Sequence, residues 1–166
     1  IGDPRSRFHP VVLIGNLISI LEKILYNEKD SHSKKLLKGG ILVAIVIFIS
    51  YTIGATIVRL TERIELNMAG TFIEALVLSF MISPKSLAEA GKEIYNLLIK
   101  SDIPEARNKV GWIVGRDTDK LDEPEIVRAT VETIAENTVD GIISPLFFFV
   151  IGGLPLAIVY RAANTM

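Results

Sequence analysis

The sequence predicts an all-α, polytopic integral membrane protein with a helical cytoplasmic insertion. Three observations predict it. Hydrophobic residues make up 49% of the 166 positions while charged residues still make up 22%, so the two classes are segregated along the chain. The mean hydropathy is +0.42, far above that of disordered chains and high for a water-soluble globule. Residues 41–58 run for 18 positions without a charge, close to the ~20 that cross a hydrocarbon core. The length suits one domain. The net charge of −1 offers no basic excess, so nucleic acid is not an expected partner. With no cysteine, disulfides, thiolate zinc sites and cysteine nucleophiles are excluded. The sequence opens at Ile1 and closes at Met166, directly after Asn164-Thr165, and is expected to be part of a longer chain. Its first residues carry basic groups but no small-residue cleavage site, so they do not read as a signal peptide.

Four apolar helices are expected, in chain order. Residues 11–26 place Ile14, Leu17, Ile18, Leu21 and Leu25 at i, i+3, i+4 spacing, with Asn16, Ser19, Lys23 and Asn27 opposite. This is an amphipathic helix, either lying at the membrane interface or packed in a bundle. Residues 41–58 form the clearest span, flanked by Lys34, Lys35 and Lys38 on one side and Arg59 and Arg63 on the other. Residues 68–82 are shorter and contain Glu74. A carboxylate at membrane depth faces protein or a cavity, so Glu74 reads equally as a structural hydrogen-bonding group or a functional one. Residues 142–160 open on Ser144-Pro145, with Pro tolerated in the first turn, and are interrupted by Gly152, Gly153 and Pro155. A broken apolar segment survives only where its backbone finds partners. A re-entrant or strongly kinked segment is expected, returning Arg161 toward Glu136 and Asp140.

The polar stretch 83–141 holds 8 of the 18 basic and 12 of the 19 acidic residues. Within it, residues 86–99 read as an amphipathic helix capped by Ser86. Ser101 or Asp102 caps a short turn with Pro104 near its start. Residues 111–121 read as a loop, and 123–138 as a helix with Asp122 as N-cap and Pro124 in its first turn. If 41–58 and 68–82 both span, the lysine-rich 29–40 loop and the 83–141 segment share a side. The positive-inside rule makes that side the cytoplasm of a cell-membrane protein.

The candidate chemistry lies in residues 116–140. On a helix, Glu125, Arg128, Glu132, Glu136 and Asp140 fall 3 or 4 apart on one stripe, with Val127, Val131, Ile134 and Ala135 opposite. The plain reading is a solvated face with i, i+4 ion pairs of ~0.2–0.5 kcal/mol each. Arg128 is the only base in the stripe, so Glu132, Glu136 and Asp140 repel one another unless a cation offsets them. Hard oxygen ligands of this kind suit Mg²⁺, which bridges carboxylates to substrate phosphates. No Ser/His/Asp constellation, P-loop or dinucleotide fingerprint is present; the only histidines are His9 and His32.

The run RDTDKLDEPEIVRATVETIAENTVDGIISPLFF, followed by GGLPLAIVYRAANTM, and the opening DPRSRFHPVVLIGNLI resemble adenosylcobinamide-phosphate synthase, the CbiB/CobD family of cobalamin biosynthesis. The resemblance covers about residues 1–18 and 111–166; the middle matches mainly in its apolar-polar pattern. It implies an integral membrane enzyme that joins a carboxylate of the corrinoid adenosylcobyric acid to an aminopropanol, or its phosphate, at the expense of ATP. Under that reading Glu132, Glu136 and Asp140 are the catalytic candidates, and Glu132 and Glu136 the Mg²⁺ candidates. Arg116, Arg128 and Arg161 are candidates for phosphate groups, since a guanidinium binds them bidentately. Asn137 and Asn164 are candidates for corrinoid amides, and Asp117, Asp3 and His9 complete the substrate-binding set, the last two matching the family's opening motif. Two other classes stand beside it: a membrane scaffold for other cobalamin-pathway proteins, and a transporter, suggested by Glu74 and the broken segment.

Overall fold

A computed structural model describes residues 10–64, 67–82, 84–115 and 117–166. Seven α-helices follow in order: α1 Pro10–Leu25, α2 His32–Thr61, α3 Asn67–Ser79, α4 Pro84–Ile99, α5 Ile103–Gly111, α6 Glu123–Thr138 and α7 Ser144–Thr165. A π-helical turn, Val139–Ile143, joins α6 to α7, and no strand occurs among the described residues. Three helical stretches are long and apolar enough to cross a membrane: His32–Thr61, Met68–Ile99 and Glu123–Thr165. The chain is therefore an all-α polytopic membrane protein. It divides into two compact units, one of residues 84–143 and one combining residues 10–82 with 144–166.

In the apolar unit, α2 runs for 30 residues, about 45 Å at 1.5 Å per residue. It extends well beyond the charge-free run at both ends. Its buried residues are Val46, Ser50, Gly54 and Thr61, while Phe48 is 71% exposed. Small residues thus face protein and large apolar ones face outward, as helices in lipid pack. Gly54 is required: a β-carbon there would lie 2.6 Å from Pro155 Cα. In α1 the expected face, Ile14, Leu17, Ile18, Leu21 and Leu25, is half-buried, and Asn16, Ser19 and Lys23 are exposed. Against the end of α2, the Thr61 hydroxyl donates to Glu74 Oε1 at 2.7 Å and lies 2.8 Å from the Val58 carbonyl. That bond gives the carboxylate of α3 a partner inside the protein.

The break expected in the last apolar segment falls at Gly152 (φ −145°, ψ 25°) and Gly153 (φ 66°, ψ −164°). The second conformation is open essentially to glycine alone. Pro155 follows in the first turn of the resumed helix, where a missing N–H costs nothing. A straight helix would separate Phe148 from Tyr160 by about 18 Å. Instead their rings stack with centroids 4.8 Å apart. The second limb therefore bends back alongside the first, and Met81, Leu154 and Ile158 form a core there with Phe149, Ile57 and Val77.

The polar unit has a conventional core of Ile94, Ala106, Val110, Ile126 and Ala129, contributed by α4, α5 and α6. Ser86 is not a cap, because α4 already begins at Pro84. The α4 helix ends in a Schellman motif: Asp102 N–H donates to Leu97 O at 3.0 Å and Ser101 N–H to Leu98 O at 2.9 Å. Ser101 takes the left-handed position, φ 59°. Asp102 then caps α5, accepting from Glu105 N–H, with Pro104 in the first turn.

Candidate functional site

The stripe begins as expected. Asp122 caps α6, accepting from Glu125 N–H at 2.9 Å, while the Glu125 carboxylate accepts from Asp122 N–H at 3.0 Å. This reciprocal box satisfies two otherwise unpartnered donors, so the first stripe residue does structural work. One turn on, Arg128 Nε donates to Glu132 Oε1 at 2.8 Å. That i, i+4 pair relieves part of the expected repulsion, and Arg128, with 79% of its side chain exposed, is bound by little. Glu136 is exposed on the next turn.

First, the sequence places Val127, Val131, Ile134 and Ala135 opposite the stripe and leaves the buried face of this helix open. That face is Ile126, Ala129, Thr130 and Thr133, with Val127 44% and Val131 62% exposed. The threonines can serve as core because their hydroxyls need not stay unpaired: Thr130 donates to Ile126 O at 2.7 Å. Gly91 of α4 lets the helices close, since a β-carbon there would meet Ile134 Cδ1 at 2.5 Å. Second, the α-helical stripe stops at Thr138. Asp140 sits on the π turn, half-buried beside buried Gly141. A π turn recurs at functional sites, and on it Asp140 falls outside the α-helical register of Glu132 and Glu136.

The remaining candidates are spread along the chain. Asn137 donates through Nδ2 to Thr133 O at 2.9 Å, leaving its amide oxygen for other partners. Asp117 is exposed and accepts from Asp119 N–H at 3.0 Å, turning the 117–121 loop. Sequence reasoning missed what anchors that loop. Arg107 Nε and Nη2 both donate to Leu121 O, at 2.9 and 2.8 Å, and Thr118 donates to Arg107 O at 3.2 Å. Thr118 also lies so close to α5 that a β-carbon on Gly111 would be 2.7 Å from its hydroxyl. Arg161 is half-buried and Asn164 exposed, both on the second limb of α7. They belong to the apolar unit, whereas Glu132, Glu136 and Asp140 belong to the polar one. Asp3, His9 and Arg116 lie outside the described residues.

The carboxylates fit one mode of magnesium binding and not another. Among the described residues no three His, Cys, Asp or Glu side chains gather as a metal cage. Mg²⁺ held with a nucleotide needs only one or two carboxylates, the substrate phosphates supplying further ligands, and exposed carboxylates on one helix face meet that requirement.

The whole chain, residues 1–166, matches the protein family described as CobD/Cbib protein. It is 40% identical over 166 residues to the cobalamin biosynthesis protein CbiB of Salmonella typhi, covering 100% of this chain and 52% of that protein. The cobalamin biosynthesis protein CobD of Clostridium perfringens is 42% identical over 165 residues, 99% of this chain and 51% of the relative. That of Geobacter metallireducens is 43% identical over 167 aligned positions, again 99% and 51%. The chain thus spans about half the length of the curated relatives it matches. No solved structure matches it.

Proposed function

The chain belongs to the CobD/CbiB protein family, and we propose that it takes part in cobalamin biosynthesis as an ATP-dependent amide ligase. The substrates are adenosylcobyric acid and an aminopropanol or its phosphate. The observation that carries this reading is the carboxylate edge of α6, Glu132 and Glu136, passing through Asp140 on a π turn straight into the apolar α7. Acidic chemistry thereby stands at the foot of a membrane segment.

The chemistry follows from what an amide bond needs. A carboxylate is a poor acyl donor, so its oxygen first takes the γ-phosphoryl group of ATP, releasing ADP. The amine then attacks the acyl carbon, its nitrogen loses a proton, and phosphate leaves. Arg128 has the fork geometry for a phosphate; its exposed pair with Glu132 is weak enough to exchange. Mg²⁺, carried with the nucleotide, would be held by Glu132 and would offset phosphate charge. Glu136 and Asp140 are the carboxylates to accept the ammonium proton before attack. Asn137 supplies an amide group for the corrinoid periphery. The polar unit lies on the cytoplasmic side, where ATP is supplied, in accord with the excess of Lys and Arg there.

A ligation assay with adenosylcobyric acid, ATP and each amine tests the reading. Glu136→Gln is expected to lower turnover by about 10²-fold, the scale of a positioned proton acceptor, while the protein inserts and extracts normally. Near-normal turnover of both Glu132→Gln and Glu136→Gln at limiting Mg²⁺ would reduce the stripe to a solvated face.

A further inference from the structure

The apolar unit holds a feature of its own. A cavity of about 360 Å³ opens between the end of α1 and the first turns of α2. Its floor is apolar, with Ile18, Leu42 and Val43, and its rim carries Lys35 and Lys38. Gly39 contributes space: a β-carbon there would meet nothing within 4 Å.

The charges at this rim are unusual for a helix start. Lys34, Lys35 and Lys38 fall in the first two turns of α2, and its first turn has no acidic residue, although cations are disfavoured there by the helix dipole. Five lysines stand against three carboxylates between Glu22 and Lys38. Asp30 is taken up by Lys38, whose hydrogen bond holds the Asp30 carboxyl below its ordinary value. Glu22 is the one carboxylate on the lining. Lys35 lies 5.4 Å from the Tyr26 ring centroid, a contact that fixes the ammonium without neutralising it.

Depth supplies the rest of the argument. Lys38 and Lys35 precede Ile41, where the charge-free run begins, by about 4.5 and 9 Å along the helix. That is the headgroup layer, while Leu42 and Val43 fall at the edge of the hydrocarbon. Leu36 and Leu37, 72% and 66% exposed, lie between Lys35 and Lys38 and add apolar surface at that level. Basic pockets between membrane helices recognise anionic headgroups.

We propose that this cavity binds an anionic phospholipid, its phosphate held at Lys35, beside the Lys38–Asp30 pair, and its acyl chain laid along Ile18, Leu42 and Val43. Native mass spectrometry of the protein, purified in detergent with phosphatidylglycerol or phosphatidylcholine, tests it. One phosphatidylglycerol is expected to survive activation that strips phosphatidylcholine. Lys35→Glu should lower its occupancy about tenfold, and Lys92→Glu, on exposed α4 surface, should not. Gly39→Leu fills the cavity from an open position, so it should exclude the lipid while the thermal midpoint in phosphatidylcholine micelles holds. Equal retention of both lipids, or unchanged occupancy in Lys35→Glu, overturns the proposal. Displacement by millimolar inorganic phosphate would instead assign the lysines to a soluble phosphate. Absence of any bound lipid would assign the cavity to another stretch of protein.

Discussion

The polar unit and the apolar unit solve the same problem in opposite ways. In residues 84–143, aliphatic side chains such as Ile94 and Ile126 are fully buried. Helix ends there are closed by side chains and turns: the Schellman motif at Ser101, the Asp102 cap and the Asp122–Glu125 box. These devices matter where water competes for every free N–H and C=O. Along α2 of the apolar unit the order inverts. Val46, Ser50, Gly54 and Thr61 are inside on α2, and Phe48 and Ile53 outside. Lipid tails are as apolar as leucine, so nothing drives Phe48 inward, and close backbone approach decides which residues face protein. The polar unit buries large aliphatic side chains in its core, whereas along α2 burial follows size, the larger core of Met81, Leu154 and Ile158 lying where α7 turns back.

The largest effect that would break this comparison is expected at Gly54. Gly54→Leu drives a side chain into the backbone at Pro155 and should cost about 4 kcal/mol, above the usual overpacking range because the neighbour is main chain. Thermal unfolding in detergent would show it as loss of the folded protein. Next comes a charge on each outward surface. Phe48→Lys, near the middle of the charge-free run, should cost about 3 kcal/mol of insertion. Ile99→Lys, at a 65% exposed site of the polar unit, should stay within about 0.5 kcal/mol. Glycosylation-mapping of insertion together with thermal unfolding separates the two. Below Phe48→Lys and above Ile99→Lys stands Asp122→Ala, expected to cost about 1 kcal/mol through the lost cap, read as faster amide exchange in the first turn of α6.

The comparison also explains what was legible in the sequence. The α6 helix was readable to its ends because Asp122, Pro124 and Glu125 form a local signal that needs no tertiary context. The Gly152-Gly153 break was readable because only glycine takes the conformation found at Gly153. Ser86 misled because Pro84 already occupies the first helical turn. The buried face of α6 was not legible, because Thr130, its hydroxyl bonded to its own helix, packs as core while Val127 and Val131 stay exposed. The π turn at Asp140 leaves no residue signature, since it is a change of hydrogen-bond register. Arg107's grip on Leu121 was invisible because it joins positions 14 apart through a side chain and a carbonyl. For the candidate site, residue types on α6 were legible, whereas the Arg128–Glu132 pairing and the phase of Asp140 needed coordinates.

The central claim is that equal exposure in the two units means different solvents. The chain has no native cysteine, so single cysteines report cleanly. Phe48, Val150 and Trp112 are exposed to similar degrees, 71%, 83% and 74%. In native membranes opened to reagent on both sides, a water-soluble maleimide should label Trp112→Cys readily and leave Phe48→Cys and Val150→Cys unmodified until detergent is added. Labelling of all three at comparable rates before detergent would contradict the account, because it would put the apolar unit in water.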